Sequence, residues 1–219
     1  MRVALIDYGA GNLASVRKAL TAVGADVHTP ATADALDTFA AIVVPGVGHF
    51  NATATLQGSW RDRIRATIDQ GVPLLGICLG LQWLFEGSAE APDVRGLGLV
   101  DGQCTRLSGT DEGNRTAGTG RATRLKIPHV GWNALRLVRP SWLFDGVSDG
   151  AYVYFTHAYA APVTEVTTAT TTYGETFASA LERGRVGAVQ FHPEKSGDVG
   201  LRILRNFLAL TETTAAGDS

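Results

Sequence analysis

Short apolar runs alternate with helical patterns over the first 85 residues, and this alternation constrains the fold more than any other feature of the chain. The apolar runs at 3–6, 41–44 and 74–77 predict strands that are covered on both faces. Between these runs, apolar residues recur at spacings of three and four, as on the buried face of a helix. Strands and helices that alternate in this way predict a parallel α/β sheet.

The second half of the chain carries mostly strand patterns, and a helical pattern returns at 199–210. We therefore expect one domain over residues 1–210. The polar stretch 108–121, rich in Gly and Thr, predicts an irregular, mobile surface insert, and 211–219 predicts a flexible tail. The segments that predict strands in this half are 96–100, 132–138, 151–155, 166–173 and 186–191.

The composition indicates a globular domain with little net charge. With 219 residues, 45% hydrophobic content and a net charge of −2, the chain can bury one sizeable core, and nothing in its charge favours nucleic acid or an anionic membrane as a partner. No apolar run approaches the roughly 20 residues of a membrane span, and the N terminus predicts a first strand rather than a signal peptide. We expect a cytoplasmic protein in which Cys78 and Cys104 stay reduced.

Cys78 lies between a predicted buried strand and a predicted helix, in the sequence Gly-Ile-Cys-Leu-Gly. Such a turn exposes its residue at the carboxyl edge of the sheet, and the helix that follows directs its positive dipole end at the sulfur, which favours a thiolate. The amide of Leu79 would be free to stabilise an oxyanion. The alternative is a small, buried packing residue, since cysteines flanked by glycine also have that role.

A histidine and a carboxylate follow the last predicted strand. His192 comes directly after segment 186–191 and Glu194 two residues later, so both are expected at the same sheet edge as Cys78. Cysteine, histidine and a carboxylate that orients the imidazole form a complete triad for nucleophilic catalysis. The alternative is a surface turn that happens to contain these residues.

The loop after the predicted strand 41–44 contains two glycines, Gly46 and Gly48. Backbone N–H groups in such a loop can face an anion or a carbonyl oxygen. A phosphate cradle fits less well, because the loop lacks the G-x-x-x-x-G-K-[ST] pattern and has no lysine nearby. An oxyanion hole beside the cysteine fits better.

Six motifs then carry a resemblance to a known family. GICLGLQ and QFHPEKS resemble the class I, triad-type glutamine amidotransferases, and DYGAGNLASV, PGVGHF, PHVGWN and YFTHAY narrow the resemblance to glutaminase subunits of imidazole glycerol phosphate synthases, from residue 1 to about 208. The resemblance implies a flavodoxin-like α/β domain with a mostly parallel central sheet and an additional antiparallel region. It also implies hydrolysis of glutamine, without cofactor or metal, and transfer of ammonia to a separate (β/α)₈ cyclase subunit in histidine biosynthesis.

Carried over residue by residue, the resemblance assigns the chemistry to a few side chains. Cys78 would attack the side-chain amide of glutamine and form a thioester, His192 would move protons and Glu194 would orient it. The residues implied to form the oxyanion hole are Gly46, Val47, Gly48 and Leu79.

The resemblance also implies substrate and partner contacts. Gln82 and Glu90 would hold the amino-acid end of glutamine, although a solvated helix residue and a surface carboxylate are the alternatives. Ala158 stands where relatives often have Ser or Thr, so it lacks the hydroxyl for that contact to glutamine, which a backbone contact could replace. The residues implied to face the cyclase are Asn12, His129, Trp132, Tyr154 and Lys195, with core packing as the alternative for the aromatic ones.

Other functions remain open at this point. The chain could be the glutaminase of another amidotransferase, such as that of anthranilate or pyridoxal phosphate synthesis, and the identity of its partner would decide. It could also be a non-catalytic scaffold of the same fold, although a scaffold has no chemical need for an intact triad. A cysteine peptidase would explain the triad and leave the partner-facing motifs unexplained.

Overall fold

The computed structural model describes residues 1–115 and 122–212. Its helices are α1 (Leu13–Ala22), α2 (Ser59–Asp69), α3 (Leu79–Trp83) and α4 (Gly197–Glu212), with 3₁₀ helices at Ala33–Thr38, Phe50–Leu56, Trp142–Phe144 and Pro193–Lys195. The strands are β1 (Arg2–Leu5), β2 (Asp26–His28), β3 (Ala41–Val44), β4 (Leu74–Ile77), β5 (Phe85–Ser88), β6 (Val100–Arg106), β7 (Thr110–Arg115), β8 (Ala122–Arg124), β9 (His129–Ala134), β10 (Arg136–Leu137), β11 (Tyr152–His157), β12 (Tyr159–Ala160), β13 (Thr167–Tyr173), β14 (Glu175–Arg183) and β15 (Val186–Val189).

A central eight-stranded sheet organises the molecule, in the order β10-β13-β14-β15-β4-β3-β1-β2. The neighbours from β15 through β4, β3 and β1 to β2 are parallel. The neighbours from β15 through β14 and β13 to β10 are antiparallel. The predicted fold, a mostly parallel α/β sheet with an added antiparallel region, is therefore confirmed.

The parallel part of the sheet has one apolar core on each face. Alternate residues of β1, such as Val3 and Ala4, belong to opposite cores because successive side chains of a strand point to opposite faces. Helices α1 and α4 cover one face, through side chains such as Leu20 and Phe207. Helices α2 and α3 cover the other, through Ile64 and its neighbours in that core. This three-layer arrangement explains why the β3 and β4 sequences are apolar throughout.

The carboxyl ends of four adjacent parallel strands bring distant segments together. Strands β1, β3, β4 and β15 end next to one another, so the loops that follow them meet at one edge of the sheet. Open α/β sheets bind ligands at this edge. The segments that meet there are the loop 6–12, the loop 45–49, Cys78, and the turn 190–195.

The polar insert and the C terminus differ from the sequence prediction. Part of the predicted irregular insert forms β7, which pairs antiparallel with β8, while residues 116–121 of the insert lie outside the described residues. Helix α4 extends to Glu212, so residues 211 and 212 of the predicted tail are helical, and 213–219 lie outside the described residues. Within 1–115 and 122–212, none of the helices combines the length and the apolar character needed to cross a membrane.

Helix α3 packs so closely against β3 that residue 80 has to be a glycine. A Cβ atom at Gly80 would overlap the carbonyl oxygen of Val44, a backbone atom that cannot move aside. At Gly11, by contrast, an added Cβ would lie 3.6 Å from the nearest backbone oxygen, an ordinary van der Waals distance.

We expect Gly80→Ala to lower the free energy of unfolding by about 2 kcal/mol or more, because it overpacks a rigid backbone contact. Gly11→Ala is the matched control and should stay within about 1 kcal/mol of the wild type. Urea unfolding of the two variants measures the difference. Equal midpoints would contradict the close packing of α3 on β3.

Candidate active site

Cys78 occupies a strained turn between β4 and α3. Its backbone has φ 53° and ψ −100°, an unusual conformation for a residue with a Cβ atom. The Cys78 N–H donates to the carbonyl oxygen of Val189 at 2.7 Å, and the Cys78 carbonyl accepts from the N–H of Gln82 at 3.2 Å. These two bonds hold the turn, the first to strand β15 and the second to helix α3. The side chain therefore lies at the sheet edge, as the sequence predicts, although it is only 4% exposed.

The His192 and Glu194 side chains form a buried pair beside the cysteine. The Nδ1 atom of His192 lies 2.7 Å from Oε1 of Glu194, and neither side chain is more than 1% exposed. The backbone N–H of His192 donates to the carbonyl oxygen of Tyr154 at 2.8 Å, and this bond joins the turn to β11. The structure thus brings Cys78, His192 and Glu194 together at one sheet edge.

The environment of His192 favours its charged form. Burial alone would lower the pKa of His192, but the charge of the Cys78 thiolate, and then the Glu194 carboxylate, outweigh burial and raise it to about 10. His192 is therefore protonated at neutral pH, and its Nε2 atom has no hydrogen-bond partner of ordinary geometry among the described residues. An imidazolium whose outer nitrogen is unoccupied can stabilise an adjacent thiolate and can also donate a proton to a leaving group.

Asn12 lies inside the site, although the family resemblance implied that it faces the partner. Its Nδ2 atom donates to Oε1 of Glu194, the same oxygen that faces His192. Asn12 also has a left-handed backbone, with φ 79°, and its side chain does not cap α1. The Asn12 side chain therefore helps to fix the orientation of the carboxylate.

The loop after β3 covers the amide that was expected to be free. The Leu79 N–H donates to the carbonyl oxygen of Gly46 at 3.3 Å, and the Val47 carbonyl accepts from the N–H of Gly11 at 3.1 Å. Gly48 has φ +135°, which a glycine adopts without strain. The expectation that the Leu79 amide is free is wrong for this conformation, because the Gly46 carbonyl occupies it.

The two residues expected to contact substrate have different surroundings. Gln82 is 4% exposed, so it is not a solvated helix residue, and its Nε2 atom donates to the Tyr159 carbonyl at 2.8 Å. Glu90 is partly exposed, and its Oε2 atom accepts from the N–H of Phe50 at 2.8 Å, directly after the glycine loop. The carbonyl of Ala158 accepts from the N–H of Leu107 at 2.9 Å and is therefore already paired.

Three of the residues expected to face a partner lie on one exposed surface. The Trp132 side chain is 55% exposed, and its ring meets that of Tyr154 edge to face at 6.1 Å between centroids. The Lys195 ammonium lies 5.7 Å from the centre of the Tyr154 ring. His129 differs, because it is only 3% exposed and its ring stacks on that of Tyr173 at 4.0 Å. Its side chain is therefore a core group in this chain.

Gln190, to which no sequence motif assigned a role, is fully buried next to the cysteine. Its Nε2 atom lies 3.5 Å from Sγ of Cys78, and its Oε1 atom accepts from Nε2 of Gln82 at 3.2 Å. A polar residue inside the apolar run 186–191 was the available signal. Such a residue, two positions before His192, needs a buried hydrogen-bond partner.

The fold and this site together define a class of protein. The family model described as "Glutamine amidotransferase class-I" matches residues 4–210, and the chain belongs to that family. The fold is also similar to that of a "Crystal structure of glutamine amidotransferase", with a TM-score of 0.70, 20% identity, and 96% of this chain and 98% of that one covered. A structure of PurLQS from Thermotoga maritima has a TM-score of 0.69 at 17% identity, with 95% and 97% covered.

Curated relatives narrow the comparison. The chain is 43% identical over 210 residues to "Imidazole glycerol phosphate synthase subunit HisH" of Methanothermobacter thermautotrophicus, covering 95% of this chain and 98% of the relative. It is 44% identical over 209 residues to the protein of the same name from Deinococcus radiodurans, with 94% and 92% covered. These similarities extend over nearly the whole of each chain.

We expect Glu194→Gln to lower the pKa of His192 from about 10 by about 1–2, because the variant keeps a hydrogen-bond acceptor and loses the negative charge. In the wild type the imidazolium should persist as the pH rises toward 10, and in the variant it should deprotonate earlier. NMR titration of the His192 ring protons measures both values. Glu165→Gln, at an exposed carboxylate, is the control and should leave the titration unchanged.

Proposed function

We propose that this chain is the glutaminase subunit of an imidazole glycerol phosphate synthase, and that it hydrolyses glutamine in the cytoplasm and passes ammonia to a separate (β/α)₈ cyclase in histidine biosynthesis. The similarity to curated relatives over 95% of the chain supports the pathway. The observation that carries the chemistry is Cys78 on a strained turn beside the buried pair of His192 and Glu194.

The first half of the reaction forms a thioester. The Cys78 thiolate attacks the side-chain amide carbon of glutamine, and the carbonyl electrons move to the oxygen. When the tetrahedral intermediate collapses, the C–N bond breaks and His192 donates its proton to the nitrogen, which leaves as ammonia. The raised pKa of His192, about 10, suits this acid role because the imidazole starts in its protonated form.

The second half of the reaction releases glutamate. His192, now neutral, accepts a proton from water while the water oxygen attacks the thioester carbon, and the C–S bond then breaks. Glutamate leaves, and the thiolate and the imidazolium are restored. Glu194 holds the imidazole through Nδ1 in both halves, with Asn12 on the same carboxylate oxygen.

The loop 45–49 gives this site a resting and an active state. In the resting state the Gly46 carbonyl accepts from the Leu79 N–H. A rotation of the peptide between Gly46 and Val47 would release the Leu79 amide and turn the Val47 N–H toward the site. Two donors would then face the oxyanion, and each such contact is worth about 3 kcal/mol in comparable enzymes. Partner binding that favours the rotated peptide would switch the glutaminase on.

We assign two side chains to the amino-acid end of glutamine. The partly exposed Glu90 lies beside the first residue after the loop and carries the negative charge that an α-ammonium group requires. Gln82 lies one helical turn beyond Cys78. Ala158 has no hydroxyl group, so we assign no side-chain hydrogen bond to substrate at that position.

The exposed face of β9 and β11 is suited to bind the cyclase. Tyr154 alternates with buried residues on β11 and pairs with the exposed Trp132 on β9, and the two rings form an aromatic surface with Lys195 beside it. Val130 and Tyr152 extend this surface and are 57% and 61% exposed. Exposed aromatic groups of this kind are enriched at protein interfaces, where a few of them supply most of the binding energy.

We expect the purified chain alone to release little glutamate from glutamine, and to become active with the cyclase and its nucleotide substrate. Cys78→Ala should lower the activated rate at least about 10³-fold, because it removes the nucleophile. Cys104→Ala, at the other buried cysteine, is the matched control and should stay within about twofold of the wild type. Strong activity of the lone chain would contradict the gating, and an inactive wild type in both settings would contradict the proposed function.

We expect Trp132→Ala to weaken binding of the cyclase by about 30-fold, because it removes a large exposed aromatic group from the proposed interface. Val163→Ala changes an exposed hydrophobic residue outside the β9 and β11 pair, and should leave the affinity unchanged. Titration calorimetry with the two purified subunits compares the variants. Equal affinities for wild type and Trp132→Ala would exclude this surface.

A further inference from the structure

The buried amide of Gln190 contacts the reacting sulfur, and the proposed mechanism above leaves it unused. Its Nε2 atom lies 3.5 Å from Sγ of Cys78, and its side chain is fully buried. We propose that Gln190 is a further catalytic residue, whose amide donates a hydrogen bond to the Cys78 thiolate and stabilises it. The proposal deepens the proposed glutaminase function and rests on it.

The chemistry of the neighbouring groups fixes which end of the Gln190 amide faces the sulfur. The Tyr159 carbonyl can only accept, so the Gln82 atom 2.8 Å away from it has to be the NH₂ group. The other hydrogen of that NH₂ points at Gln190 over 3.2 Å and requires an oxygen there. The NH₂ group of Gln190 is therefore directed at Cys78, because the opposite orientation would place two donors against each other.

The Tyr159 carbonyl is itself held by a second chain of hydrogen bonds. It accepts from Nδ1 of His157 at 2.9 Å, so Nε2 of His157 is left to accept from Nδ1 of His129 at 3.3 Å. Burial lowers the pKa of His129 to about 4 and that of His157 to about 3, so both rings are neutral at pH 7. Asn133 lies 3.5 Å from the remaining nitrogen of His129. The Tyr159 carbonyl, on which the orientation of Gln82 depends, thus accepts hydrogen bonds from both His157 and Gln82.

A hydrogen bond from an amide to a thiolate stabilises the anion more than the neutral thiol. The cost of burying the Gln190 amide is offset because both of its ends are paired. The competing explanation is that Gln190 only joins β15 to α3 as a packed polar group. The two explanations differ in their consequences, since only a thiolate donor changes the reactivity of Cys78 with pH.

The test is the rate of Cys78 alkylation by iodoacetamide against pH, measured on the full chain by peptide mass spectrometry. Gln190→Leu should move the alkylation profile to higher pH and lower the rate at pH 7 by about tenfold, as expected for a lost hydrogen bond to a charged group. Gln103→Leu, at an exposed glutamine, is the matched control and should follow the wild type. An unchanged profile in a folded Gln190→Leu variant, with only a lower unfolding midpoint, would overturn the proposal.

A second variant keeps the test decisive if Gln190→Leu does not fold. Gln82→Leu leaves the Gln190 amide in place but removes the group that orients it, so its profile should move part of the way. A profile identical to the wild type would overturn the proposal as well. Alkylation needs neither glutamine nor a partner, so the outcome is separate from the activity assay. Wild-type inactivity with the cyclase would contradict the function, and it would leave the thiolate contact to be decided by alkylation.

Discussion

The strained turn at Cys78 is the constraint on which the rest of the site depends. A cysteine with φ 53° is held there by hydrogen bonds to strand β15 and within α3, and by the absence of a side chain at Gly80. The same turn starts α3 next to the β3 carboxyl end, so the first helical amide meets the loop that carries Gly46. The strain is sustained because the parallel strands on both sides over-determine the backbone. The proposed nucleophile, the proposed oxyanion amide and the loop that covers it are therefore positioned by one local geometry.

Burial strengthens the electrostatic attraction between His192 and Glu194, and it also makes each charge unfavourable when it is alone. An isolated imidazolium in this position would be strongly disfavoured, and the sulfur and the carboxylate are what raise its pKa to about 10. The carboxylate in turn has one oxygen shared by His192 and Asn12, and an Oε2 atom without a partner among the described residues. The charged groups thus stabilise one another as a set. Removing any one of them leaves the others buried without compensation.

The sequence was most informative where burial and backbone geometry restrict residue choice. The apolar runs 41–44 and 74–77 coincide with β3 and β4, and the turn motifs placed Cys78 and His192 at one sheet edge. Strand β14 was missed because its buried residues are mostly small, as in Ala178, Ser179 and Ala180, and such residues carry little strand signal. The pairing of β7 with β8 was missed because neither has an apolar period. Tertiary contacts decided both cases.

Tertiary contacts were also hard to predict inside the site, where the sequence indicated residue types more readily than their hydrogen-bond partners. Motif spacing can place Leu79 after the nucleophile, but it cannot reveal that the Gly46 carbonyl occupies the Leu79 amide. That contact depends on the orientation of the peptide that follows Gly46, and a glycine permits more than one orientation. With the proposed acid charged and the Leu79 amide covered, the proposed site is set for proton transfer before it is set for attack. Turnover would then require one peptide rotation, which a partner can favour without moving the triad.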